Sequence, residues 1–168
     1  KLSDYGVETH LIKDESRPTT LKKRYRAQNQ TMLRVSHLHH DSIDNNLQKI
    51  VLQEIEKIIS DCSLLVFSDF NYGSLPQTLV DELINRVSRP DLIMTADSQT
   101  SSQTGDVSRF KNMELLTPTE REARIALRNQ QDGLVVLLDK LRERSQVKNI
   151  ILKLGSDGVL LSMQDKKN

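Results

Sequence analysis

The stretches LLTPTERE, from Leu115 to Glu122, and ILKLGSDG, from Ile151 to Gly158, decide the fold of this chain. In the first, an apolar strand breaks at Pro118 into the acidic start of a helix. In the second, an apolar strand reaches two glycines three residues apart, where the main chain can approach an anionic ligand without an intervening side chain. A Gly-Ser-Asp-Gly turn alone is most often a plain hairpin, but the two stretches together predict a nucleotide site.

Strands and helices alternate outward from these stretches. Apolar runs predict strands at LLVFSD (64–69), DLIMTAD (91–97), MELLT (113–117), NIILKL (149–154) and GVLLSM (158–163), the last two as a hairpin. Because LLVFSD is a continuous apolar run, we expect helices to bury it on both faces. The alternation predicts an α/β fold, a three-layer sandwich with a mostly parallel sheet and ligands beyond the carboxyl ends of its strands. Those ends carry Asp69, Asp97, Thr117 and Gly155.

Capping residues indicate where the helices begin. Asp41 and Ser42 precede a run of apolar residues at helical spacing that extends to about Asp61. Thr117 and Glu120 predict a capping box for a later helix.

The segment from Tyr5 to Leu38 has a different character. It is rich in Thr, Tyr and Val, and its polar and apolar residues partly alternate, which predicts a small antiparallel sheet. Since it is only weakly apolar, it suits a cover over another surface better than a buried core sheet. We therefore divide the chain into a β lid, residues 5–38, and an α/β part, residues 39–168.

The composition narrows the classes of partner. The chain has 24 basic and 23 acidic residues, so no global field attracts nucleic acid or a membrane surface. Its single cysteine, Cys62, excludes an internal disulfide framework, and no leader or long apolar run is visible. We expect a cytoplasmic protein that binds neither nucleic acid nor membrane.

Six motifs, in the order SRPTTLKKR, MLRV, LLVFSD, ADSQ, LLTPTERE and LKLGSDG, resemble the ribokinase-like (PfkB) carbohydrate kinases, and their heptose-phosphate kinase branch most closely. The resemblance runs from about Gly6 to Met163. It implies transfer of phosphate from ATP, with Mg²⁺, to a sugar or sugar phosphate in a cleft at the carboxyl edge of the sheet, partly covered by the lid. Because lids of this family often pair between subunits, it also implies a homodimer.

The resemblance assigns candidate residues to each part of the site. A guanidinium fork suits a sugar phosphate because it donates two parallel hydrogen bonds, and the acceptor side comprises Arg17, Lys22, Arg24, Asp69 and Asp97. The nucleotide side comprises Thr119, Lys153, Gly155 and Gly158. Glu122 would order magnesium through water, whereas helix capping explains Glu120.

Three departures from the family pattern concern phosphate contacts. Thr119 replaces an asparagine, and Gln99 and Tyr72 replace lysines. Phosphoryl transfer depends on positioning and charge neutralisation, so these changes favour either an altered substrate or lost activity. The family's general base lies in a Gly-Ala-Gly-Asp segment that is expected beyond Asn168, and its first strands are expected before Lys1. We therefore expect the central portion of a kinase domain, inactive alone.

Other interpretations of single motifs remain open. Lys22, Arg24 and Arg26 alternate on one strand face, as a solvated lid or a nucleic-acid strip would. His37 and His39 could share a strand face as metal ligands. The serines of the polar loop 98–106 lack the glycine elbow of a hydrolase nucleophile. The main alternative to a kinase is a non-catalytic scaffold or regulatory domain with the kinase fold, in which the three departures record lost catalysis.

Overall fold

The computed structural model describes residues 1–99 and 105–164. Part of the predicted loop 98–106, residues 100–104, therefore lies outside the described residues. The strands are β1 (Leu21–Ala27), β2 (Gln30–His37), β3 (Leu64–Asp69), β4 (Ile93–Ser98), β5 (Leu115–Leu116), β6 (Asn149–Lys153) and β7 (Val159–Ser162). The α-helices are α1 (Asn45–Ile58), α2 (Gln77–Val87), α3 (Glu120–Leu127) and α4 (Leu134–Ser145).

The main sheet has the strand order β3-β4-β5-β6-β7. Its first four strands run parallel, and β7 returns antiparallel to β6 as the predicted hairpin. A separate two-stranded sheet pairs β1 with β2. The predicted α/β class is confirmed: a mostly parallel sheet with helices, together with a small antiparallel lid. Because each strand follows its predecessor in the same direction across the sheet, right-handed crossovers bring the helices α2, α3 and α4 to one face of the sheet.

Burial alternates along the strands of the main sheet. Phe67, Ala96, Leu116 and Ile150 are neighbours in register, and all four are buried in the same core as the helices. On the other face Leu64 and Val66 are each 52% exposed. The prediction that helices bury LLVFSD on both faces is therefore wrong within the described residues, because only alternate residues of β3 meet the core.

The sheet predicted between Tyr5 and Leu38 is shorter than expected. Strand pairing is confined to β1 and β2, which meet at a two-residue turn, Gln28–Asn29, with positive φ at both positions. The prediction of a sheet over the preceding residues is wrong. They form one 3₁₀ turn, Ser3–Tyr5, and then an irregular segment. Pro18, which cannot donate to a strand ladder, lies in this segment.

Two predicted helix starts are also wrong. Asp44, not Asp41 or Ser42, caps α1 by accepting the N–H of Leu47 at 2.8 Å. The N–H of Ile43 is instead bound to the carbonyl of Gly73 at 3.0 Å, which keeps the chain before Asp44 out of the helix. For α3 the N-cap is Thr119 rather than Thr117. Among the described helices, none has both the length and the apolar character needed to span a bilayer.

Candidate functional site

The polar residues predicted at the strand ends do lie along one edge of the main sheet. Asp69 ends β3 and pairs in register with Ser98 at the end of β4. Asp97 precedes Ser98, and Lys153 ends β6. Since the carboxyl ends of parallel strands share one edge, this edge gathers carboxylates, a lysine and a glycine turn.

Asp69 is buried at the first end of this edge. Its Oδ1 accepts the N–H of Asn71 at 2.9 Å, and its Oδ2 accepts the hydroxyl of Ser98 at 3.2 Å. Nη2 of Arg109 lies 2.9 Å from the same Oδ2, which makes an ion pair whose side chains are only 3% and 14% exposed. The carboxylate is thus held by three donors inside the protein.

A cleft of about 880 Å³ lies beside Asp69. One wall is the loop after β3, including Phe70, Tyr72 and Ser74, and another is the irregular segment from Leu11 to Thr20. Charges of both signs line it, namely Lys13, Asp14, Glu15, Arg17 and Asp69. A cleft of this size with mixed polar walls can hold a small polyhydroxylated molecule.

Arg17 holds the base of the β1–β2 hairpin against this cleft. Its Nη1 donates to the carbonyls of Asp41 at 2.7 Å and Tyr72 at 2.9 Å, and its Nε lies 2.8 Å from Oδ2 of Asp14. The hydrogen bonds from Ser16 hold the pKa of Asp14 below its usual value, with the Arg17 charge adding to the effect. Arg17 therefore joins the two chain segments that lead into and out of the hairpin.

The two other basic candidates of the hairpin differ in surroundings. The ammonium of Lys22 lies 4.8 Å and 4.9 Å from the ring centroids of Phe70 and Tyr72, within cation–π range. Arg24 is exposed and lies opposite Arg34 across the β1–β2 ladder. Lys22 thus brings the hairpin into contact with the cleft wall.

A second cluster forms farther along the edge, around Asp97. Its Oδ1 accepts the hydroxyl of Thr117 at 2.7 Å and lies 3.0 Å from Nζ of Lys153. Burial by itself would raise the pKa of Asp97, but the hydrogen bonds from Thr117 and Lys153 outweigh burial and hold the pKa below its usual value. The cluster therefore presents a lysine beside an ionised carboxylate at neutral pH.

Thr119 and Glu122 form the capping box that the sequence analysis assigned to Thr117 and Glu120. The Thr119 hydroxyl accepts the N–H of Glu122 at 3.2 Å, and Oε2 of Glu122 accepts the N–H of Thr119 at 2.7 Å. The helix starts two residues later than predicted because Pro118 and Thr119 still belong to the sheet edge, where Pro118 accepts the N–H of Lys153 at 2.8 Å. Glu120 instead pairs with Arg124 at 2.8 Å.

A smaller cleft of about 420 Å³ opens where α3 begins beside the β6–β7 turn. Its lining residues are Thr119, Glu120, Arg121, Arg124, Gln130, Lys153, Leu154 and Gly155. The structure therefore brings three of the four nucleotide candidates together. Gly158 takes part in the turn itself, where its carbonyl accepts the N–H of Leu154 at 2.9 Å.

The residues of this edge suit an anion better than a metal held by the protein. Lys153, Arg121 and the backbone at Gly155 offer positive charge and N–H groups to phosphate oxygens. By contrast, no group of three His, Cys, Asp or Glu side chains that could hold a metal occurs within residues 1–99 and 105–164. The carboxylate of Glu122 is nearly buried and caps α3. Direct coordination of magnesium does not fit these residues.

Arg109 is the functional residue that the sequence analysis missed. It ends a 3₁₀ turn, Val107–Arg109, that follows the polar loop, and nothing in its local pattern indicates a partner 40 residues earlier. The sequence carried no signal for it: the burial of Phe110, whose ring centroid lies 4.3 Å from the guanidinium carbon, is visible only in the structure.

Comparison with known proteins agrees with this arrangement. The family model for pfkB family carbohydrate kinases matches residues 1–168. The chain belongs to the pfkB family of carbohydrate kinases. The resemblance predicted from the six motifs is thereby confirmed.

Curated relatives support the same conclusion. The chain is 27% identical over 165 residues to the bifunctional protein HldE of a Nitratiruptor species and 29% identical to that of Desulfatibacillum aliphaticivorans. Each alignment covers 96% of this pfkB chain, which spans about a third of either relative, 34% and 33%.

Two solved structures share the fold. Phosphofructokinase-2 from Escherichia coli, in complex with fructose-6-phosphate, superimposes with a TM-score of 0.67 at 17% identity, covering 99% of this chain and 55% of that one. Ribokinase from Giardia lamblia gives 0.68 at 14% identity, covering 99% and 52%.

Proposed function

We propose that this chain is part of an ATP-dependent kinase that phosphorylates a hydroxyl group of a sugar or sugar phosphate. The single observation that carries the proposal is the crevice shared by Thr119, Lys153 and Gly155 on the same sheet edge as the larger cleft beside Asp69. Family membership supports phosphate transfer to a carbohydrate.

In this proposal the smaller cleft binds the phosphates of ATP. Lys153 would neutralise phosphate charge, and the open backbone at Gly155, where a Cβ would have no neighbour within 4 Å, leaves room for a close approach. ATP in this family usually carries Mg²⁺, which neutralises phosphate charge, and Glu122 is the candidate to orient it through water. Gly158 would act by shaping the turn.

The larger cleft would bind the acceptor. Arg17, Lys22, Arg24, Asp69 and Asp97 are the candidates on this side. Arg17 and Lys22 would act chiefly by holding the segment 11–20 and the hairpin against the cleft, which excludes water from the transferred group. Heptose phosphate is the first acceptor to test, because the motif resemblance and the HldE relatives favour it. Fructose 6-phosphate is the second.

The same proposal extends to assembly and location. We propose a cytoplasmic homodimer that pairs through the β lid, because Tyr25, Met32 and Leu33 of the hairpin are exposed apolar side chains. A related phosphofructokinase-2 from Escherichia coli has a tetrameric inhibited form. Sedimentation of the intact protein with and without the change Met32→Glu tests the pairing, and an unchanged dimer would exclude the lid contact.

The deciding experiment is a thermal-shift titration of the intact protein with magnesium ATP and a panel of sugar phosphates, followed by an assay of phosphate transfer. We expect ATP to raise the melting temperature, since a ligand that binds only the folded state stabilises it. Lys153→Met should weaken ATP binding by about 10- to 150-fold, because a charge-assisted hydrogen bond contributes about 1.5–3 kcal/mol. Lys148→Met is the matched control: Lys148 forms a 2.7 Å ion pair with Glu114 before β6, at the opposite end of that strand.

The scaffold alternative makes the opposite prediction. A non-catalytic descendant of the fold, suggested by Thr119, Gln99 and Tyr72, would show no phosphate transfer by the intact protein. If no nucleotide raises the melting temperature of the intact protein, the kinase proposal is overturned.

A further inference from the structure

Arg109 contacts both ends of the loop that forms one wall of the larger cleft. Its Nη2 lies 2.9 Å from Oδ2 of Asp69, where the loop begins, and donates to the carbonyl of Leu75 at 2.9 Å, where the loop ends. We infer that Arg109 is a positioning residue for the acceptor cleft, which it shapes by closing the loop from Asp69 to Leu75. This inference rests on the proposed function for its catalytic consequences, whereas the loop contacts stand by themselves.

The contact is costly to break because it is shielded from water. Both side chains of the Asp69–Arg109 pair are nearly buried, and a buried charge is tolerated only when it is paired and hydrogen-bonded. Asp69 receives further donors from Asn71 and Ser98, and the Arg109 guanidinium lies over the ring of Phe110 at 4.3 Å. Loss of either partner leaves the other charge buried and unpaired, so the two side chains act as one unit.

The loop that Asp69 and Arg109 close forms one wall of the larger cleft. Phe70, Tyr72, Ser74 and Leu75 all line the cleft. The tip of the loop is held from the other side, because the carbonyl of Tyr72 accepts Nη1 of Arg17 at 2.9 Å. The loop therefore lies between two guanidinium groups, one inside the body and one at the base of the hairpin.

Arg109 is itself on a rigid support. Val107, Ser108 and Phe110 around it are buried, and Oδ1 of Asp106 accepts the N–H of Ser108 at 2.9 Å. The side chain of Gln77 at the start of α2 donates to the carbonyl of Arg109 at 3.3 Å. A positioning group on a packed element can hold a cleft wall within the small tolerance that catalysis needs.

The arrangement assigns Asp69 a different task from direct contact with a sugar. Both of its carboxylate oxygens face protein donors, and its main-chain carbonyl accepts the N–H of Gln99 at 2.7 Å. Asp69 therefore acts on the acceptor through Arg109 and the loop.

The test compares Arg109→Met, Arg109→Lys, Asp69→Asn and the double variant Asp69→Asn/Arg109→Met in the intact protein, well below each melting temperature. Steady-state rates are measured with ATP and whichever of heptose 7-phosphate, fructose 6-phosphate or ribose the wild type phosphorylates. Arg109→Met should raise KM for the acceptor about tenfold or more, since a small displacement of a positioned group is costly, and leave KM for ATP within twofold. Arg109→Lys should recover part of the loss, because an ammonium can reach the same acceptors.

The double variant separates positioning from direct contact. If Asp69 and Arg109 act as one unit, the double variant should be no worse than the poorer single variant. Multiplicative losses, or an equal rise in KM for ATP and acceptor, would overturn the inference. Arg86→Met is the control, because Arg86 pairs with Glu56 and Glu82 on the surface of α1 and α2.

Hydrogen exchange provides a readout that does not depend on catalysis. Amides 70–75 should exchange at least tenfold faster in Arg109→Met than in the wild type, while any increase within α2 should not exceed the increase expected from the loss of global stability. Unchanged exchange at 70–75 would overturn the inference even in an active kinase. If the wild type phosphorylates no acceptor, the proposed function fails, and the exchange result alone decides the positioning role.

Discussion

The two ends of the sheet edge carry the same chemical pair at different depths. At the proposed acceptor end Asp69 and Arg109 have side chains 3% and 14% exposed, whereas at the proposed nucleotide end Asp97 and Lys153 are 51% and 42% exposed. The buried pair holds a loop in place, while the exposed pair can exchange its partner for a ligand. Burial, and not charge alone, thus separates a structural ion pair from one available for binding.

The choice of cation fits this division. Arginine keeps its charge when buried and can donate in several directions, so it suits a contact that must serve both Asp69 and Leu75. Lysine is a point charge on a flexible stem, so in the proposed function Lys153 would move from Asp97 to a phosphate oxygen. Its partner remains bound to Thr117 in either case.

The largest expected difference between the buried and the exposed ion pair comes from removing the cation of each. Arg109→Met should lower the free energy of unfolding by about 3–5 kcal/mol, because it leaves a buried carboxylate without its partner. Lys153→Met should cost less than about 1 kcal/mol, because exposed pairs contribute little. Urea unfolding at neutral pH measures both values, and equal losses would contradict the distinction.

The glycines at the two ends provide the next test. Gly73 has φ of 79°, and a Cβ there would lie 2.0 Å from the carbonyl oxygen of Asp41. Gly155 has φ of 67° but nothing within 4 Å of a Cβ. Gly155→Ala should cost about 1–2 kcal/mol from backbone strain alone, and Gly73→Ala should cost more, because it also displaces the segment at Asp41 from the cleft loop. Thermal melts of both variants give the order, and a smaller effect at Gly73 would contradict it.

Much of this edge was predictable from the sequence. Apolar runs located β3, β4, β6 and β7, and parallel strands necessarily align their carboxyl ends, so Asp69, Asp97 and Gly155 were predicted on one edge. The apolar runs could not predict how deeply each side chain is buried. The residues of LLVFSD before its polar end are continuously apolar, yet only alternate residues of the strand meet the core.

The missed features depend on contacts between distant segments. Arg109 meets Asp69 across 40 residues, and the irregular segment 11–20 becomes a cleft wall because Arg17 binds the carbonyls of Asp41 and Tyr72. The start of α3 moved to Glu120 because the N–H of Lys153 binds the carbonyl of Pro118. Local capping patterns contain no information about partners so distant in sequence, so they could not predict these contacts.

The capping box of Thr119 and Glu122, at the proposed nucleotide end, should contribute a smaller part of the free energy of unfolding. Thr119→Ala should lower the free energy of unfolding by about 0.5–2 kcal/mol, since an N-cap hydroxyl satisfies a helix N–H group. Thr119→Asn should retain the cap and restore the residue found in the family motif. Urea unfolding of both variants, with Glu120→Gln as a control outside the capping box, measures the difference. Equal stability of Thr119→Ala and wild type would contradict the cap.

The smallest expected effect is the pH dependence of the exposed pair. Asp97 has a pKa held below its ordinary value of 3.8 in the folded protein, so its contribution to stability is complete above that value. As the pH falls below 3.8, the unfolded chain takes up the proton first, and the contribution disappears as the pH passes through the folded pKa. The stability difference between wild type and Asp97→Asn, about 0.2–1 kcal/mol for an exposed pair, should therefore be constant from about pH 7 to about pH 5 and shrink in more acidic buffers.

Urea unfolding at each pH measures this difference, and Lys153→Met should flatten the dependence because it removes one of the donors that lower the pKa of Asp97. A difference that grew on acidification would mean that burial outweighs the hydrogen bonds from Thr117 and Lys153. Asp97 would then behave as a desolvated carboxylate, and its pair with Lys153 would not count as an exposed pair available for binding.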